Sequence, residues 1–384
     1  MLVSMAYPTV YIQEPQILQQ SGEWLGKFGK RLFIIAGKTA WNIAGPQLEE
    51  SLKTAALHYE LSYFNGECTY EETERLLGLL PEGIDLIVAI GGGQCMDAAK
   101  IVAHRTGLKI ATVPTLASTC ASTTPLSIIY KPGHEYLAIE YFDFCPMITL
   151  VDPQIIAEAP YRYLIAGIGD TLAKWYEAYP INAGKFQNAK TRLGLKTAEL
   201  ARDLLMEFSE QAIAECKEGQ AGDAIRQIID TNILLAGLVG GIGHQTCRGS
   251  GAHAFHNGMT CIDEIHGTYH GELVAFGIVC QLMLENKPEE QVVELMRFYR
   301  SIGLPVSLFD MGVTEVRDHE IRLSSVRACD PSETIHYLPF PINEASIQAA
   351  IYAAHELGEK LKSIEPAPAK RLAESEGTGA SSGN

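Results

Sequence analysis

Up to about Val151, short unbroken apolar runs alternate with stretches whose apolar positions recur every three or four residues. The runs Arg31–Ala36 (RLFIIA), His58–Phe64, Asp85–Ile90 (DLIVAI), Lys109–Val113 and Ile148–Val151 (ITLV) predict strands. The segments between Thr39 and Ala56 and between Glu71 and Leu80 have helical spacing. Continuous Ile, Leu and Val strands separated by helices predict a parallel sheet covered on both faces.

After Asp152-Pro153 the pattern changes. Strand signals become few, and long amphipathic stretches such as Asn188–Phe208, Asp223–Gly241 and Glu289–Ser301 predict helices. The expected organisation is an α/β domain over 1–155 and an all-helical domain over 156–364. A tail over 365–384, rich in Pro, Ala, Glu, Ser and Gly, is expected to be disordered.

Composition narrows the function classes. The chain has 384 residues, 47% hydrophobic and 20% charged, an ordinary globular balance. Its formal net charge of −16 repels polyphosphate and argues against a nucleic-acid partner. Nine cysteines without a CxxC pair fit a reducing compartment better than a disulfide scaffold. The N-terminus carries no secretory pattern, and no apolar run is expected to span a membrane. The expectation is a cytoplasmic protein that acts on a small molecule, with no nucleic-acid or membrane partner.

In DLIVAIGGGQCMDAAK a buried strand runs into Gly91-Gly92-Gly93, and a helix follows at once. Such a turn brings backbone close to a ligand, and the new helix offers free N–H groups to a pyrophosphate. Asp97, placed early in that helix, would brace the loop or touch a ribose or the nicotinamide side. The spacing is neither GxGxxG nor a Walker motif, and a tight turn without a ligand is the plain alternative. A polar stretch, Pro114–Thr124, follows the next strand, where ligands of open α/β sheets bind.

The helical half carries candidate metal ligands. Asp170 lies in GIGDTLAKWYEA, His253 and His256 lie three apart in GSGAHAFHNG, and His270 lies in YHGELVAFG. A carboxylate with two or three imidazoles suits zinc or ferrous iron, with an open position for a substrate oxygen. With 11 histidines in the chain, core or capping roles are the alternative, and His244 and His266 are weaker candidates. Lys174 follows Asp170 by four residues on the same helical face. It can pair with that carboxylate, meet a substrate carboxylate or oppose a metal.

GGGQCMDAAK, PTLASTCASTTPLSIIY, GIGDTLAKWYEA and GSGAHAFHNG…YHGELVAFG stand in the order and spacing of the iron-containing alcohol dehydrogenase superfamily. The chain resembles its glycerol dehydrogenase-like branch up to about residue 362. The resemblance implies a dinucleotide-binding domain, a helical domain of dehydroquinate synthase-like architecture, and a cleft between them. It implies an enzyme that uses NAD(P)(H) and one divalent metal, zinc ahead of iron, and that forms a homo-oligomer. The implied metal ligands are Asp170, His253 and His270. The implied dinucleotide contacts are Gly91, Gly92, Gly93, Gln94, Asp97, Thr115, Ser118, Thr124, Leu126 and Tyr130.

Cys120 stands where glycerol dehydrogenases usually carry an aspartate near the substrate hydroxyls. Gly37 and Lys38 stand where NAD-preferring members carry an acid, which permits NADP. With Lys174, the TCA segment and Ile335–Pro339 (IHYLP), these departures resemble a hydroxycarboxylate dehydrogenase subgroup. A 2-oxo acid/2-hydroxy acid pair therefore ranks above glycerol, with Lys174, Cys120 and His256 as catalytic candidates and His256 as a proton route. A synthase-like lyase would need more basic residues than Lys174 and Arg248, and a non-catalytic nucleotide binder is the remaining alternative.

Overall fold

The computed structural model describes residues 6–133, 135–185 and 187–365, and the expected tail from Pro366 onward lies outside them. The first half places strands β1 (Val10–Gln13), β2 (Arg31–Ala36), β3 (His58–Tyr63), β4 (Leu86–Gly91), β5 (Lys109–Pro114), β6 (Leu126–Lys131), β7 (Glu135–Tyr141) and β8 (Ile148–Val151). Between them run helices α1 (Ser21–Leu25), α2 (Lys38–Thr54), α3 (Tyr70–Gly78) and α4 (Gly93–Thr106).

Six strands form one parallel sheet in the order β1-β8-β5-β4-β2-β3. Residues of β4 and β8 are buried throughout, as strands covered on both faces must be. Two apolar clusters flank the sheet. Ile34, Val88 and Leu48 belong to one, and Ile35, Ile87 and Met96 to the other. From β2 the chain moves outward to β3, whereas from β4 it moves the opposite way to β5. The carboxyl ends of β2 and β4 therefore border a topological switch point, where open sheets bind ligands.

Sequence pattern missed three strands. β1 is four residues long, and β6 and β7 form a separate antiparallel hairpin. That hairpin had a readable signal, two alternating runs joined by Pro132-Gly133, with Gly133 at φ +92°.

The second half is helical: α5 (Pro153–Ala157), α6 (Arg162–Asn182), α7 (Ala189–Lys217), α8 (Asp223–Asp230), α9 (Ala236–Gly243), α10 (Gly251–Met259), α11 (His270–Leu284), α12 (Glu289–Ile302), α13 (Asp318–Ala328) and α14 (Glu344–Ile364). The stretch expected as one helix over Asp223–Gly241 is split by a wider π-helical turn at Thr231–Leu235. That turn docks the two halves. Asn232 Nδ2 donates to Ala117 O at 3.0 Å, and Thr123 Oγ1 donates to Ile233 O at 2.6 Å. The whole run Asp223–Thr246 is long and apolar enough to cross a membrane by length and composition, contrary to expectation. Of its most apolar window, 61% is buried inside the fold, as in a core helix.

Candidate active site

The register aligns Ala36 with Ile90 and Gly91 with Pro114, so three loops leave the sheet along one edge. Gly91 has φ +152°, a conformation that side chains rarely adopt. Gly92 caps α4 and makes no side-chain cap bond, so the first N–H groups of that helix are not satisfied by their own cap residue. A Cβ on Gly93 would lie 2.8 Å from Thr119 Oγ1, so the polar loop after β5 closes directly over the turn. Gly37 caps α2 at the neighbouring strand end, and a Cβ there would meet only Ala40, at 3.8 Å. Lys38 beside it is exposed.

Thr115 N donates to Gly91 O at 3.0 Å, and Gln94 Oε1 accepts from Cys68 N at 3.0 Å. Tyr130 N donates to Cys68 O at 2.9 Å, and Ser118 is half-buried in the loop.

Three residues expected at the dinucleotide are also tied to one another within the protein. The buried Lys100 ammonium lies 2.9 Å from Asp97 Oδ1, donates to Thr124 Oγ1 at 3.1 Å and also donates to Leu126 O. Asp97 sits in the second turn of α4, facing inward, and accepts from Ile128 N at 3.3 Å. It braces the loop, the first of the two roles expected for it. Lys100 was legible in the GGGQCMDAAK segment, three residues after Asp97, but drew no role from sequence.

The metal candidates come together from three helices. One donor atom from each of Asp170, His253 and His270 lies within 4.8 Å of the others. Asp170 Oδ1 is 3.3 Å from His253 Nε2 and 3.6 Å from His270 Nε2. A tetrahedral ion with bonds of about 2.1 Å has ligand–ligand edges of about 3.4 Å, so this donor set fits one divalent cation. Glycines allow the approach. A Cβ on Gly169 would overlap Gly271 O, and a Cβ on Gly271 would overlap Ala166 O, so α6 and α11 touch backbone to backbone beside Asp170 and His270.

Each histidine has a partner behind it. His253 Nδ1 is 2.7 Å from Glu177 Oε2, and Glu177 Oε1 accepts from Ser250 N and His253 N. Glu177 lies two turns past Asp170 within GIGDTLAKWYEA, a signal that sequence reading passed over. His270 Nδ1 is 2.9 Å from His256 Nε2, and His256 Nδ1 is 2.9 Å from Asn257 Oδ1. Both ring nitrogens of His256 are thus engaged. It stands behind His270 and reaches the cation site only through that ring.

Electrostatics favour the charged forms at the centre. Burial opposes the Asp170 carboxylate, but Lys174 and the two histidine rings outweigh it and hold the group well below the usual carboxylate range. Burial also opposes a charge on His253, yet Glu177 and Asp170 lift that ring to about 9, and a bound cation would take the place of its proton. His256 is pushed well below the ordinary imidazole value by burial and by His270.

Lys174 Nζ stands 3.2 Å from Asp170 Oδ1, the same oxygen that faces both rings. Cys120 is buried, and burial pushes its thiol up to about 11, with Lys174 pulling the other way. Of the IHYLP segment only Ile335 and Leu338 are buried, and Tyr337 is 45% exposed.

Residues 8–153 match the family description "Iron-containing alcohol dehydrogenase". The glycerol dehydrogenase of Thermotoga maritima is 35% identical over 369 residues, 95% of this chain and 100% of that protein. The chain belongs to the iron-containing alcohol dehydrogenase family. Hydroxycarboxylate dehydrogenase A of Escherichia coli is 36% identical over 288 residues, 75% of this chain and 79% of that protein. The crystal structure of a probable glycerol dehydrogenase from Sinorhizobium meliloti superposes with a TM-score of 0.87 at 32% identity, covering 94% of this chain and 99% of that one. As a member of this alcohol dehydrogenase family the chain is an oxidoreductase acting on CH–OH groups of small molecules.

Proposed function

We propose that the enzyme is a metal-dependent, NAD(P)-linked dehydrogenase of a small polyol of the glycerol type. The observation that carries this reading is the convergence of Asp170, His253 and His270 donor atoms within 4.8 Å. Similarity to a glycerol dehydrogenase over 95% of the chain supports a polyol, which reverses the order of substrates expected from sequence. The cofactor half spans 1–155 and the metal half 156–364 in this reading.

When bound, a divalent cation, zinc in this proposal, supplies Lewis acidity to a substrate oxygen, and the dinucleotide supplies the hydride donor or acceptor. The chain does the positioning. The Gly91–Gly93 turn and the uncapped N–H groups of α4 receive a pyrophosphate. Gly37 leaves room beside a ribose and brings no carboxylate to repel a 2′-phosphate. Glu177 and His256 orient the two imidazoles so that both Nε2 atoms face Asp170 Oδ1.

A 2-oxo acid/2-hydroxy acid pair is the second reading, favoured by the Lys174–Cys120 side of the site. The Lys174 ammonium faces the cation site there, and burial keeps the thiol at 120 protonated, where a carboxylate would repel an acid. Rates on zinc-loaded protein with glycerol and with a short 2-hydroxy acid, each with NAD and NADP, test the proposal. Faster turnover of glycerol is expected, and turnover of the hydroxy acid alone overturns the polyol assignment.

A further inference from the structure

Behind His270 a line of polar groups crosses from α11 to the segment before the 3-10 turn Thr334–Tyr337. His270 Nδ1 faces His256 Nε2 at 2.9 Å, and His256 Nδ1 faces Asn257 Oδ1 at 2.9 Å. Asn257 Nδ2 donates to Glu333 Oε1 at 3.0 Å and to Oε2 at 3.2 Å. From these contacts we infer that Glu333 is a positioning residue, which fixes the tautomer of His270 through Asn257 and His256.

The argument follows donors and acceptors along the line. Burial pushes the Glu333 carboxyl up, with the Asn257 hydrogen bond pulling the other way; in its ionised form it only accepts, so it draws the NH2 end of the Asn257 amide toward itself. A flipped amide would set oxygen against oxygen at about 3 Å. The amide oxygen is thereby turned to His256 Nδ1, and because it only accepts, Nδ1 must carry the hydrogen. With the one N–H of an imidazole on Nδ1, the Nε2 of His256 is a bare acceptor. His270 Nδ1 must then donate, which leaves the lone pair on His270 Nε2, the atom that points at Asp170 Oδ1. Reversing the amide reverses every link and puts a hydrogen on the nitrogen that must face a cation.

The inference rests on the metal reading of Asp170, His253 and His270 and extends it to a residue 76 positions beyond Asn257. His253 obtains the same tautomer directly from Glu177, so only the His270 arm depends on a distant carboxylate. Outer partners of metal-binding histidines typically change metal affinity about 10- to 100-fold when removed.

The test compares Glu333→Gln with Glu333→Leu in the full chain, measuring zinc affinity by chelator competition and thermal melting without added metal. Gln retains an acceptor, and Leu has none while filling similar volume. Zinc affinity within about threefold of the parent is expected for Gln, and a loss of about tenfold or more for Leu with melting preserved. In an Asn257→Leu background, Glu333→Leu should bring no further loss, because the line is already cut. Equal affinities for parent and Leu variant, or equal losses for Gln and Leu, overturn the inference. A parent protein that takes up no zinc overturns instead the metal reading beneath it.

Discussion

Gly271 of α11 lies so close to α6 that a methyl group at 271 would overlap the carbonyl oxygen of Ala166. Gly169 meets Gly271 O in the same way, one residue before Asp170 and one after His270. The helices cross at backbone contact because neither has a side chain at the crossing. The separation of Asp170 and His270 is therefore set by two glycines rather than by the ligands themselves.

Gly271→Ala should drive the helices apart. Overpacking of this kind costs about 1–3 kcal/mol, so a lowered melting temperature is expected. Because the ligand pair moves with the backbone, zinc affinity should also fall by about tenfold or more. Melting curves and chelator competition check both effects, and unchanged zinc affinity would show that the crossing does not set the ligand distance.

His270→Ala removes one of the three donors without disturbing the crossing. Metal content after purification without chelator should drop to a small fraction of the parent value, with dehydrogenase activity lost in parallel. Far-ultraviolet circular dichroism should stay the same, since the side chain is about a third exposed, at 32%, and outside the apolar core. Full activity without bound metal in this variant would refute the ligand assignment.

The middle of the sheet was legible because strands such as β2 and β8 are buried almost throughout, so RLFIIA and ITLV appear as apolar runs with their true ends. The metal trio was legible because its members carry distinctive chemistry inside motifs. What the sequence hid was set by tertiary contact. Asp97 beside a glycine turn reads equally as a brace or a ligand contact, and only the phase of α4 shows its bracing partner, Lys100. His256 resembles a third ligand or a proton carrier, and only the crossing of α10 and α11 shows that it faces His270. Glu333 carries no local signal at all, since its partner Asn257 lies on another element.

Gly37→Asp tests the cofactor expectation. The position has open space beside it, with Ala40 Cβ at 3.8 Å from an added Cβ, so the substitution should fold normally. A carboxylate there would accept from a ribose 2′-hydroxyl and repel a 2′-phosphate. The ratio of kcat/KM for NAD over NADP should rise by about tenfold or more, as expected for losing or gaining one charged contact. A parent enzyme with strong NAD preference, unaltered by the substitution, would place the ribose elsewhere.

Lys174→Met separates two roles of the ammonium that sits 3.2 Å from Asp170 Oδ1. Held so near the cation site, the charge repels a metal and attracts a substrate carboxylate. Removing it should therefore tighten zinc binding, measured by chelator competition, because Asp170 loses a competing partner. On substrates the effect should split. A charge-assisted hydrogen bond to a carboxylate contributes about 1.5–3 kcal/mol, so kcat/KM for a short 2-oxo acid should fall about 10- to 100-fold relative to hydroxyacetone. Hydroxyacetone has similar size and no charge, so tighter metal binding affects both substrates alike and cancels in the ratio. The same fold-change on both substrates would mean that Lys174 only braces Asp170. The acid reading would then rest on likeness to hydroxycarboxylate dehydrogenase A and on the protonated Cys120 thiol, and a thiol offers a carboxylate no charge.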